Sequence, residues 1–146
     1  MLYKRLDDGF LVRLVRGEEV RTALAKLMRE ERIGCGAVTG LGAIRDPHLG
    51  CYLLEEKRYI ERRFDGDYEL VGLNGTLSWF EGEPFAHVHT VLSDHQFATI
   101  GGHCFEATTT ATLEMRVVAS ADRVDRATDP EIGLHLMQLP ESCPLR

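Results

Sequence analysis

Phe85-Ala86-His87-Val88-His89-Thr90-Val91-Leu92-Ser93, then Asp94-His95-Gln96, then Phe97-Ala98-Thr99-Ile100 and Gly101-Gly102-His103: the architecture is read outward from this stretch. The first nine residues alternate like a strand, and the polar set Ser93-Asp94-His95-Gln96 reads as a hairpin turn. Side chains alternate along a strand, so His87 and His89 share a face, with Cα atoms about 6.5–7 Å apart. Val88 points the other way, into the core. Phe97–Ile100 then runs back beside the first strand. The diglycine lets the backbone approach closely and bend, which brings His103 toward the first pair.

Upstream, Phe10–Arg16 is a strand candidate. Val20, Leu24, Leu27 and Met28 then recur at helical spacing, with Glu18 and Glu19 in the expected first turn and Gly34 marking the end. Gly34–Gly42 carries four glycines, but the helix precedes it and no Lys-Ser/Thr pair closes it. Close backbone packing along a bulged strand explains it better than a phosphate loop. Further short strands are expected at Leu49–Leu54, Tyr59–Phe64, Tyr68–Phe80 and Thr108–Ser120, separated by Asp65-Gly66-Asp67 and Glu81-Gly82-Glu83-Pro84. The tail from Thr128 to Leu139 fits a short helix or an edge strand. A helix followed by hairpin-linked strands argues for an α+β (α/β) domain, a central antiparallel β-sheet with flanking helices. With no repeat or linker, residues 1–146 read as one domain.

Composition narrows the function. No apolar run reaches the roughly 18 residues of a membrane span, and Asp7 and Asp8 stand where a secretory signal would be apolar. A cytoplasmic protein is expected, with Cys35, Cys51, Cys104 and Cys143 reduced. The net charge of −6 disfavours DNA, whose phosphates demand Lys and Arg. Arg58, Arg62 and Arg63 are interleaved with Glu55, Glu56 and Glu61, as on a solvated strand or loop edge.

Two alternating histidines can form a plain polar face. The HxH spacing, the diglycine and the third histidine together favour a metal site at His87, His89 and His103. Three neutral imidazoles suit zinc or another divalent transition metal. With three protein ligands, one position stays open for water or substrate. Cys104 could add a fourth, but in a strand its side chain faces away from that of His103. His48, His95 and His135 read as surface residues. For catalysis a proton carrier is needed, and the candidates are Glu106, Glu69 and Glu114. Each is also explained as the solvent-facing partner in an alternating strand.

Gly66-Asp67-Tyr68-Glu69-Leu70-Val71-Gly72-Leu73-Asn74-Gly75-Thr76 resembles the glycine–aromatic–glutamate–aliphatic motif of the PPC domain, the family conserved in plants and prokaryotes. His87-Val88-His89 with Gly101-Gly102-His103 resembles that family's histidine signature, and Gly36–Ile44 its early glycine-rich strand. Cys104 and Gly72 depart from the pattern, where an aliphatic residue and a serine are common. The resemblance implies a homotrimer with a bound metal, zinc foremost, at the three matched histidines. It also implies a fold similar to acetolactate decarboxylase and to a zinc-dependent ester hydrolase. In plants the domain accompanies AT-hook DNA-binding segments, whose Arg-Gly-Arg-Pro core this chain lacks.

Three readings stand at this point. The first is a stand-alone domain whose three-histidine site binds or transforms a small molecule. The others are a DNA-associated regulatory protein and a non-catalytic trimerisation module stapled by metal. Residue pattern alone does not separate catalysis from binding.

Overall fold

The computed structural model describes residues 1–140. Its elements are β1 (Leu2–Leu6), β2 (Gly9–Val15), α1 (Val20–Glu30), β3 (Cys35–Leu53), β4 (Arg58–Arg63), β5 (Asp67–Phe80), β6 (Glu83–Ser93), β7 (Thr99–Ser120), β8 (Asp125–Thr128) and β9 (His135–Met137). Flanking helices were expected, but the described residues form one helix, so strands dominate. The reason lies in the tail: Thr128 to Leu139 holds β9, which pairs with β8, rather than a helix. The sheet is antiparallel except where β8 runs parallel to β5 through Trp79 and Phe80.

Helix α1 begins where Glu19 caps it, its carboxylate accepting from the backbone N–H of Arg21 and Thr22 at 2.9 and 2.6 Å. Glu19 is therefore the cap rather than a first-turn residue. The helix ends at Glu30, and Arg32, at φ 54°, turns the chain two residues before Gly34. Val20, Ala23, Leu24, Leu27 and Met28 form its buried stripe. It packs on β6 and β7.

Two strands are much longer than their hydrophobic pattern suggested. β3 runs for 19 residues and absorbs the glycine-rich segment, with a register shift between Gly40 and Gly42 that confirms the expected bulge. β7 runs for 22 residues straight through the diglycine, where separate strands were expected. Phe97 lies before it, in the turn after β6 at φ 64° and 87% exposed, rather than in a strand. Asp94 organises that turn, its carboxylate accepting from the N–H of Gln96 and Ala98. β1 was not foreseen, because Lys4 and Arg5 mask a strand that lies exposed against β2.

β3 pairs with β5, β5 with β6, β6 with β7, and β7 with β3, so these four strands close on one another. One face carries the core, including Leu14, Val38, Leu73, Val88, Leu113 and Val117, covered by the helix. The outer face carries the histidines. Cys104 lies fully buried in the core, and burial pushes its thiol up to about 12. Cys35, Cys51 and Cys104 are free thiols; Cys143 lies outside the described residues.

Candidate metal centre

His87 and His89 stand on the same face of β6, and His103 of β7 lies directly opposite His89 in register. Two close backbone approaches seat this pairing. A Cβ on Gly101 would lie 2.7 Å from the Thr90 carbonyl oxygen, and one on Gly102 2.7 Å from that of Gly50. The close approach to β6 was expected from sequence; the diglycine also admits β3 on its other side, and the strand continues through it where a bend was expected.

One nitrogen from each of the three rings falls within 4.8 Å of the others. The Nε2 atoms of His87 and His89 are 3.2 Å apart. Ligands on a tetrahedral ion, each about 2.0–2.1 Å from the metal, stand roughly 3.3–3.4 Å from one another, so this pair is already at coordinating separation. His103 Nδ1 is buried without a hydrogen-bond partner, a state that costs free energy unless something compensates it. Burial, then the neighbouring histidines, lower both His87 and His103 to about 4. Both are neutral at pH 7, the form that donates a lone pair to a metal. These residues could hold a metal ion.

The expected carboxylates are not part of this cluster. Glu106, three residues after His103, lies exposed and meets Arg63 at 2.7 Å, and that guanidinium holds its carboxyl below the usual range. Glu69 is exposed on β5 opposite Ser93. Glu114 is exposed far along β7, opposite Arg13 of β2.

Beside the cluster opens a cavity of about 430 Å³, with His87 and His103 in its wall. Tyr52, Tyr59, Phe85 and Phe105 supply its apolar surface, and the Phe105 and Tyr59 rings lie 4.7 and 5.1 Å from His103. Gly50 makes this possible, since a Cβ there would lie 2.5 Å from the Phe105 ring and 2.8 Å from Tyr59. Arg21 enters from the helix, bonding the Phe105 carbonyl at 3.1 Å, and Arg126 from β8. Burial draws the Arg126 guanidinium below its usual value. His135, expected on the surface, lines the cavity and stacks on Phe80 at 3.9 Å. His48 is also partly enclosed, 2.8 Å from Glu61. His95 is exposed, as expected. Sequence reading missed Arg21, Arg126 and His135 because the elements carrying them are remote from the histidine hairpin.

The sequence model of the Plants and Prokaryotes Conserved (PCC) domain matches residues 1–121. No curated protein matches the chain by sequence. Among solved structures, the chain is similar to a candidate DNA-binding protein from Ralstonia eutropha JMP134, 29% identical with TM-score 0.88 over 94% of this chain and 96% of that one. It is also similar to a metal-containing protein from Archaeoglobus fulgidus, 28% identical with TM-score 0.83 over 95% and 99% of the two chains. An α-acetolactate decarboxylase from Bacillus subtilis, 15% identical with TM-score 0.51 over 90% of this chain and 61% of that one, shares the fold alone. The domain match, spanning both the glycine-rich strand and the histidine hairpin, places this chain in the Plants and Prokaryotes Conserved domain family.

Proposed function

We propose that this protein binds a small molecule at a three-histidine zinc site, or a site for a similar divalent transition metal. The observation that carries this reading is the convergence of His87, His89 and His103 beside a cavity sized for a metabolite, with His87 and His103 in its wall. His87, His89 and His103 would hold the ion, which when bound supplies Lewis acidity toward an oxygen of the ligand. The chain's own residues do the rest: the aromatic walls exclude water, and Tyr59 and Phe105 hold the His103 ring in place. The description of the Archaeoglobus protein as metal-containing favours the same reading. Elemental analysis of purified protein is expected to find about one transition-metal ion per chain. Replacing any of the three histidines by alanine should sharply lower that content; metal retained at the wild-type level in all three variants would refute the assignment.

We infer in addition that the chain assembles as a homotrimer. Leu11, Leu41, Val91 and Val118 are large aliphatic side chains left exposed, and such a surface favours covering by other copies. Light scattering should return three times the 16.4 kDa chain mass. Free thiols fit a cytoplasmic location, and no described helix is long and apolar enough to cross a membrane.

The description of the Ralstonia protein favours DNA association as a second reading. The basic strand β4 gives it little support, because Arg63 is paired with Glu106 and Arg58 with Glu56. A duplex mobility shift at low salt would favour DNA association, and its absence would dispose of it.

A further inference from the structure

We propose that the cavity beside the histidines receives a small organic anion, its acidic head held by Arg21 and Arg126 and its apolar body by the aromatic walls. This deepens the metal-site reading and rests on it, since His87 and His103 form part of the same wall.

The charge of the lining runs against that of the whole chain. The sequence holds 23 acidic and 17 basic residues, yet Arg21, Lys57, Arg58 and Arg126 line the cavity and no described carboxylate does. Elsewhere, Arg5, Arg29, Arg45, Arg63, Arg116 and Arg123 each meet a carboxylate. Of the arginines that line the cavity, Arg58 meets Glu56, whereas among the described residues Arg21 and Arg126 meet no carboxylate. Arg126 is bound only to neutral acceptors: Nε donates to Ser78 Oγ at 2.7 Å, Nη1 to the His135 carbonyl at 2.6 Å, and Nη2 to Thr76 Oγ1 at 3.1 Å. A guanidinium has five N–H groups, so two remain. It also lies 4.9 Å over the Phe85 ring. A half-buried cation without a counter-charge is costly, and it is repaid when an anion arrives. Because three bonds already fix the fork, little ordering is lost on binding. Arg21 spends one Nη1 bond on the Phe105 carbonyl.

Carboxylate and phosphate heads share this chemistry, and one titration separates them. Zinc-loaded protein is titrated calorimetrically with benzoate, phenyl phosphate and the neutral isostere benzamide. Benzoate or phenyl phosphate should bind at least about tenfold more tightly than benzamide, and the tighter of the two identifies the head group. Arg21→Gln and Arg126→Gln should each weaken the anion by about tenfold or more while keeping their zinc. Arg126→Lys, which retains charge and loses the fork, covers the case in which the glutamine variant does not fold. Equal binding of benzamide and benzoate, anion affinity unchanged in the arginine variants, or no binding by any probe would overturn the proposal. Protein that takes up no zinc would instead refute the metal site. The same titration on that metal-free protein would then decide the anion site by itself.

Discussion

Gly50→Ala tests how the cavity supports the metal centre. The new Cβ would lie 2.5 Å from Phe105 Cε2 and 2.8 Å from Tyr59 Cδ1, where carbon atoms rest about 3.5–4.0 Å apart. The Phe105 ring must therefore move by about 1 Å. It has little room, packed at 5.0 Å from His48, 5.0 Å from Tyr59 and 4.7 Å from His103. Overpacking of this kind costs about 1–3 kcal/mol. For a domain of this size each kcal/mol lowers Tm by about 2–4 °C, so a fall of roughly 2–12 °C is expected. Loss of the ring support beside His103 should weaken metal binding by about tenfold. Thermal melts of metal-free protein and a chelator competition titration measure the two effects separately. Gly72→Ala is the control, because a Cβ there meets nothing within 4 Å. If Gly50→Ala and Gly72→Ala melt within about 1 °C of each other and bind metal equally, the packing explanation is wrong.

Other outcomes follow from the same structure. His87→Ala should lower metal affinity by about a hundredfold, taking roughly 3 kcal/mol as one ligand's share of a site; chelator competition reads it, and an unchanged affinity would remove His87 from the ligand set. In the metal-free protein, His87 and His103 lie near 4, below the ordinary 6.5. Their linkage therefore leaves stability fully present above about pH 6.5 and lost as pH falls toward 4. Urea unfolding across that window should show the decline, and its absence in His87→Ala/His103→Ala would assign the effect to these rings. Leu77→Ala, at a fully buried position on β5, should cost about 2–5 kcal/mol; denaturant titration of metal-free protein measures it, and a loss below about 1 kcal/mol would contradict the packing described.

The histidine face was legible because a strand repeats every two residues and a polar turn reverses it. The diglycine pointed His103 toward that face, but its register opposite His89 follows from a longer turn than the polar set suggested, with Ser93 paired to Thr99. The bulge near Gly40 was legible for a similar reason, since glycines clustered among apolar residues mark close backbone contact. What stayed hidden depends on contacts remote in sequence. Gly50 looks ordinary until Phe105 and Tyr59 are seen above it. Arg21 reads as a helix surface charge and Arg126 as a tail charge, and only the pairing of β8 with β5 brings Arg126 to Ser78 and Thr76. The continuity of β7 was hidden because Gly101-Gly102 weakens local strand propensity, which pairing on both edges overrides.

X-ray absorption at the zinc edge examines the centre itself. With one ion loaded per chain, the spectrum should show three imidazole nitrogens at about 2.0–2.1 Å and no sulfur shell near 2.3 Å. Imidazole scattering should drop by one ring in any single histidine variant that still holds metal. A sulfur contribution, or a wild-type spectrum with fewer than two imidazoles, would contradict a centre built from His87, His89 and His103.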